Sequence, residues 1–272
     1  MKTQLTRRSF LKQSALTAGI ISAAPFNILN AVNAGEKIRI AQIGCGGRAM
    51  AHLGATLAEN LVAIVDVDEK RPDIVKKLLT DKGRDASKLQ VFTDYRKMFA
   101  KLGKQIDAVF IATPNHHHAL PAMIAMQHGI NVYCEKPVCH DIGEARAMRA
   151  LAAKSKVATQ MGNQGHCEEG YRRLCEYIWA GAIGKITETH SWTNRANGGE
   201  GPRPPKLPVP AGLHWDEWIG PAPYRDFHDD LHPHEWHGWY DFGNGSIGNM
   251  GCHVLDGVYW ALKIEHPSSI EV

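Results

Sequence analysis

No acidic residue precedes Glu36, whereas Lys2, Arg7, Arg8 and Lys12 all stand before it. The positive balance of the 272-residue chain, 31 Lys and Arg against 28 Asp and Glu, therefore belongs to its first segment. The 238 residues after Ala34 carry 27 basic and 28 acidic groups, with no basic stripe interleaved with aromatics, which argues against a nucleic-acid-binding surface. Cysteine is sparse as well. Cys45, Cys134, Cys139, Cys167, Cys175 and Cys252 show no CxxC spacing, so neither a zinc ribbon nor a disulfide framework is indicated, and all six read as small packing residues. No later run of about 18 uninterrupted apolar residues exists, so no transmembrane helix is expected. At 44% hydrophobic and 22% charged, what remains is an ordinary globular composition, long enough for one large domain or two smaller ones.

The first segment reads as an address. Thr6-Arg7-Arg8-Ser9-Phe10-Leu11-Lys12 precedes a mildly apolar run, Ser14 to Phe26, and then Val32-Asn33-Ala34 with small residues where a signal peptidase reads. This is the pattern of a twin-arginine signal at residues 1–34, cut after Ala34. It predicts an exported, periplasmic or extracytoplasmic protein whose first partner is the twin-arginine export machinery. That route carries folded proteins, which suits a protein loaded with a cytoplasmic cofactor.

From Lys37 short β-branched runs alternate with helical-period stretches, the pattern of an α/β fold with a parallel sheet covered on both faces. Strands are expected at 38–43, 61–66, 89–92, 107–112, 131–134 and 157–160, with helices beginning near Gly47, Arg71, Asp94, His117, Asp141 and Glu168. Six such strands fit a doubly wound, Rossmann-type sheet, whose ligands sit at the carboxyl ends of the strands. This cofactor domain is assigned to 35–164. Beyond it the character changes. A strand at 185–192, a long Pro-, Gly-, His- and Trp-rich stretch to Tyr240, a helix at 248–262 and a strand starting at 269–272 suggest a second α/β domain from 165, incomplete at Val272.

Gly44-Cys45-Gly46-Gly47-Arg48-Ala49 follows the first strand directly and opens a helix. Gly44 permits the tight turn, Gly46 lets the backbone approach a pyrophosphate, and Ala49 permits close helix–strand packing, with helix N–H groups facing the anion. The second strand ends in Asp66, placed to accept hydrogen bonds from a ribose 2′-hydroxyl and to repel a 2′-phosphate. NAD is therefore favoured as cofactor, with NADP possible if Arg48 or Arg71 offsets that charge. Thr113-Pro114-Asn115-His116-His117-His118 leaves the fourth strand, placing Thr113, Pro114, Asn115 and His118 beside the nicotinamide-ribose end. Consecutive helical residues diverge by about 100°, so three adjacent histidines cannot all face one ion, and no metal site is assigned. After the fifth strand comes Cys134-Glu135-Lys136-Pro137, in which Pro137 restricts Lys136 to an extended backbone.

In this order, the glycine turn, TPNHHH and EKP resemble the Gfo/Idh/MocA oxidoreductase family. The likeness extends through Gly162-Asn163-Gln164-Gly165-His166 and Gly245-Ser246-Ile247-Gly248-Asn249-Met250-Gly251-Cys252-His253. It implies an NAD(P)-binding domain that includes Glu135 and Lys136 at the cofactor, followed by an open-sheet α/β domain for substrate and oligomer contacts, hence a homo-oligomer at full length. It also implies hydride transfer at a hydroxyl carbon of a sugar or polyol, with Lys136 touching ribose and substrate hydroxyl and His253 as the base. Imidazole titrates near neutral pH, and a neighbouring ammonium stabilises an alkoxide. One departure stands out: many members have aspartate where this chain has Asn249. On a helix Asn249 and His253 share a face, so Asn249 can bond substrate without charge or proton acceptance.

The stretch from His214-Trp215 through His228, His232, His234, His237 and Trp239 admits three readings. Its rings pack against the domain, or stack on sugar faces, or His232, His234 and His237 hold zinc. His166, Trp239 and His253 are the candidate substrate contacts. Two rival functions accompany the dehydrogenase reading. One is redox-neutral glycoside cleavage by oxidation, elimination and reduction on a retained cofactor. The other is a non-catalytic dinucleotide-binding protein.

Overall fold

Alternating burial along short Val-, Ile- and Ala-rich segments builds a single parallel sheet in the computed structural model, which describes residues 37–195, 197 and 201–271. The twin-arginine segment and the cut after Ala34 lie outside the described residues. The strands are β1 (Arg39–Ile43), β2 (Asn60–Val65), β3 (Gln90–Phe92), β4 (Ala108–Ile111), β5 (Asn131–Glu135) and β6 (Thr159–Gly162). Their order is β3-β2-β1-β4-β5-β6, every neighbouring pair parallel, with Ile40 between Leu61 and Ala108 in register. Strand order reverses between β1 and β4, and this switch opens a crevice at their carboxyl ends.

The helices on the two faces follow from the period-2 alternation. Ala41, Ile43, Val65, Val109 and Ile111 face α3 (Tyr95–Leu102), α4 (Ala119–Gln127) and α5 (Ile142–Lys154) through Met98, Ala122 and Met148. Ile40 and Ile64 face α1 (Ala49–Thr56) and α2 (Arg71–Asp81) through Leu53, Leu57, Val75 and Leu79. Each fully buried aliphatic side chain contributes about 1.5–3 kcal/mol. Helix starts are specified locally: Asp94 caps α3 by accepting from the Arg96 N–H at 2.8 Å, and Asp141 and Glu144 close a capping box on α5.

After β6, α6 (Glu169–Trp179) packs against α8 (Asp256–Leu262): Trp179 Nε1 donates to the Ala261 carbonyl at 2.8 Å, and Tyr171 Oη to that of His253 at 2.8 Å. Between them lies the short α7 (Trp215–Ile219). Much of the aromatic stretch is packing: Trp215, Trp218, Phe227, Leu231, Trp236, Trp239 and Phe242 form a third core, with Trp215 and Trp218 stacked at 4.5 Å, while Trp218 and Trp236 also border the cavity at the strand ends. Hydrogen bonds from His214 N to Val67 O and from Glu69 N to Gly212 O, each 2.9 Å, tie this core to the rim of the sheet just past β2.

Three expected elements differ. Residues 185–192 form no strand; no strand among the described residues lies beside them to complete a ladder, and Trp192 is 81% exposed. The helix expected at 248–262 is broken into a wide π turn, Ile247–Gly251, a single turn, Cys252–Val254, and α8. There the chain winds so tightly that a Cβ on Gly248 would lie 2.0 Å from Asn244 Cβ. Residues 269–271 are not in a strand, and Val272 lies outside the described residues.

Candidate active site

The crevice at the strand ends is a cavity of about 790 Å³. Gly44, Gly46, Gly47, Arg48, Asp66, Thr113, Pro114, Asn115, His118, Glu135 and Lys136 all line it. Ala49 does not; it is fully buried in α1 behind the turn, where a small side chain lets the helix approach the sheet.

The glycine turn fits a dinucleotide. Gly44 has φ +87°, and a Cβ there would lie 2.7 Å from the Ala112 carbonyl oxygen, so no other residue sits at this crossing of β1 and β4. Around Gly47 a Cβ would meet nothing, which leaves backbone open to a ligand. Asp66 is oriented by the turn itself, its Oδ2 accepting from the Cys45 N–H at 2.7 Å and its Oδ1 from the Asp68 N–H at 2.9 Å. Burial nevertheless raises its carboxyl above the ordinary value, the hydrogen bonds and Arg71 opposing.

The three histidines act as backbone fasteners. His116 Nε2 and His117 Nε2 both point at the Trp218 carbonyl, at 2.8 and 2.9 Å, satisfying the free C-terminal end of α7. His118 sits between the carbonyls of Thr113 and Pro137 and, as a neutral ring with one N–H, donates to one of them, linking the loops after β4 and β5. Burial lowers all three, His117 to about 4. His118 and Asn115 line the cavity, but the His118 ring nitrogens face these two carbonyls and Asn115 Nδ2 donates to Asn244 Oδ1 at 2.9 Å.

Lys136 and His253 come together on one wall. Lys136 Nζ donates to both Asn249 oxygens, the main-chain one at 2.6 Å and Oδ1 at 2.8 Å. Asn249 Oδ1 is thus spent on Lys136 rather than offered to substrate. His253 Nδ1 lies 3.2 Å from the Gln164 carbonyl. A carbonyl only accepts, so Nδ1 carries the proton and Nε2 keeps its lone pair, the tautomer of a general base. Burial, and secondarily the Lys136 charge, lowers the His253 imidazole, opposed by that hydrogen bond. Gln164 is itself held, its Nε2 donating to both Glu135 oxygens at 2.9 and 3.0 Å. Glu135 also meets His52 and Arg48. Despite burial, these partners hold its carboxyl below the ordinary value.

The family model described as an oxidoreductase family with an NAD-binding Rossmann fold matches residues 38–163, and its C-terminal alpha/beta domain matches 182–272. The chain belongs to the Gfo/Idh/MocA oxidoreductase family. Among curated relatives, it is 32% identical over 104 residues to 2,7-anhydro-N-acetylneuraminate hydratase of Mediterraneibacter gnavus, covering 38% of this chain and 27% of that one. It is 30% identical over 158 residues to inositol 2-dehydrogenase of Burkholderia cenocepacia, covering 56% and 44%. The chain spans less than half the length of these relatives. The fold matches that of the WlbA dehydrogenase from Bordetella pertussis, solved with NADH and UDP-GlcNAcA, at TM-score 0.55 and 19% identity over 84% of this chain and 60% of that one.

In this Gfo/Idh/MocA member, two expected substrate contacts stand apart from the cavity lining. Trp239 is buried in the third core with the Arg225 guanidinium 4.8 Å over its ring. Its large apolar face is thereby used for packing. His166 Nδ1 is 2.9 Å from Asp256 Oδ2, and its ring stacks on Trp260 at 4.4 Å. Of the loop histidines, His232, His234 and His237 do line the cavity, yet no group of three or more His, Cys, Asp or Glu placed to hold a metal occurs among the described residues. Gln164, His52, Arg195 and Asn197 were not singled out from sequence; only Gln164 had a signal, its place in the GNQGH motif.

Proposed function

We propose that this chain carries the cofactor site and the acid–base groups of an NAD-dependent oxidoreductase acting at a hydroxyl carbon of a sugar or polyol. The observation that carries this reading is the convergence of Lys136 and His253 on the cavity that the glycine turn opens. When bound, NAD supplies the hydride acceptor. His253 Nε2 accepts the hydroxyl proton, the Lys136 ammonium stabilises the oxygen left behind, and Glu135 through Gln164 keeps the imidazole in its base tautomer. The 30%-identical inositol 2-dehydrogenase supports a polyol substrate. Asp66 at the ribose favours NAD over NADP.

The test is absorbance at 340 nm with NAD and a panel of polyols and sugars. His253→Ala should lower turnover by about 10²–10⁴-fold while NAD binding stays within a few-fold; full activity in this variant rejects the assignment of the base. A redox-neutral reaction on a retained cofactor is the second reading, favoured by the 32%-identical relative that is a hydratase. Glycoside cleavage without net NADH would select it, and NAD binding without any turnover would select a scaffold.

We also propose that residues 1–34 are a twin-arginine signal delivering the protein to the periplasm, with 35–164 as cofactor domain and 165–272 belonging to a substrate domain. The Thr6–Lys12 motif supports export, and intact mass of the exported protein should show Gly35 as its first residue. Retention of Met1 in that fraction would reject the cut.

A further inference from the structure

An amide side chain is nearly symmetric in shape but opposite in polarity at its two ends, so a buried lysine that meets an asparagine depends on which end faces it. Lys136 meets the oxygen of Asn249. The choice is fixed from the far side: Asn249 Nδ2 donates to Asn197 Oδ1 at 3.0 Å. Asn197 is fixed in turn, its backbone N–H and its Nδ2 both reaching Ser246 Oγ at 3.2 Å. A polar chain, Ser246–Asn197–Asn249–Lys136, therefore crosses from the residue that opens the π turn through Asn197 to the loop after β5.

We propose that Asn197 and Ser246 are positioning residues that aim Asn249 Oδ1 at Lys136, making an uncharged clamp that holds the amine at the cavity wall, where its ammonium form meets a substrate hydroxyl oxygen. The role toward a substrate oxygen rests on the hydride-transfer reading above; the clamp itself rests on the hydrogen bonds. The groups facing Lys136 are Glu135 on β5, Cys252 and His253 on the turn before α8, Arg48 from the glycine turn, and Arg195. His118 and His237 also feel its charge. Glu135 is the sole carboxylate in this set, and His52 and Gln164 occupy its oxygens. Burial accordingly moves the amine below the ordinary lysine value, with Cys252 and Glu135 opposing. An aspartate at 249 would cancel that effect by pairing with the ammonium.

Amine-selective acylation of Lys136 in the full chain, followed by peptide mass spectrometry as pH is varied and with no substrate added, reads the clamp directly. Asn249→Asp should slow labelling near neutral pH by about tenfold or more, because the paired ammonium is not nucleophilic. Asn197→Ala and Ser246→Ala should speed it several-fold, because the charged form loses a fixed acceptor, whereas Ser246→Thr should match the parent. Asn249→Asp and Ser246→Thr are near-isosteric, so they report even if an alanine variant fails to fold. Labelling indifferent to positions 249 and 197 overturns the clamp, whether or not polyols are oxidised. The predicted labelling pattern with no turnover upholds the clamp and rejects the hydride-transfer reading alone.

Discussion

The sheet at 37–164 and the segment at 165–271 hold themselves together by different means. In the first, apolar residues alternate along strands that pair in sequence-local βαβ units, and every strand has a neighbour. In the second, no described residue lies in a strand of three or more; indole and phenyl rings supply the core, and side chains bond to distant carbonyls. Regular ladders satisfy the backbone wherever the pattern repeats, whereas an irregular chain must find its partners one by one. The fasteners His116 and His117 are where the second arrangement borrows rigidity from the first.

The largest expected effect breaks the second region alone. Trp218→Ala removes a buried ring that packs against Trp215, His116 and Phe242, and should cost about 3–5 kcal/mol in urea unfolding. Hydrogen exchange should show amides near α7 losing protection while β1, β4 and β5 keep theirs; equal loss in both regions would show that they unfold as one.

A smaller effect concerns the joint. His117 is buried neutral, with its imidazole lowered to about 4 by desolvation, whereas in the unfolded chain it protonates near about 6.5. The unfolded state therefore binds the proton first as pH falls. The stabilisation is complete above about 6.5 and is lost progressively toward 4, by about 3 kcal/mol in all. Unfolding titrations over this window, compared with His117→Asn, measure it. A variant with the same acid limb as the parent would place the loss elsewhere.

How much could be read beforehand follows from the same contrast. The strands at 38–43, 107–112 and 131–134 were legible because burial on both faces leaves near-continuous apolar runs, and the glycine turn because a Cβ on Gly44 would strike Ala112. The pattern at 185–192 misled, since alternation describes a strand only when another lies beside it. Trp239 misled differently: an aromatic ring suits a sugar face and a protein core equally well, and only its neighbours distinguish them. The meetings of Lys136 with Asn249, and of His253 with the Gln164 carbonyl, join residues 113 and 89 positions apart, and no local pattern encodes such pairs.

Sequence by itself determined the parallel sheet, the dinucleotide turn, Asp66 and the family, because each rests on residue types at short fixed spacing. Tertiary structure alone decided that the histidine triplet is bound to carbonyls, that Asn249 faces Lys136 with its oxygen, and that His253 keeps Nε2 free. Hydrogen-bond direction depends on which group arrives from the far side of the fold, and that arrival is a property of the packed chain.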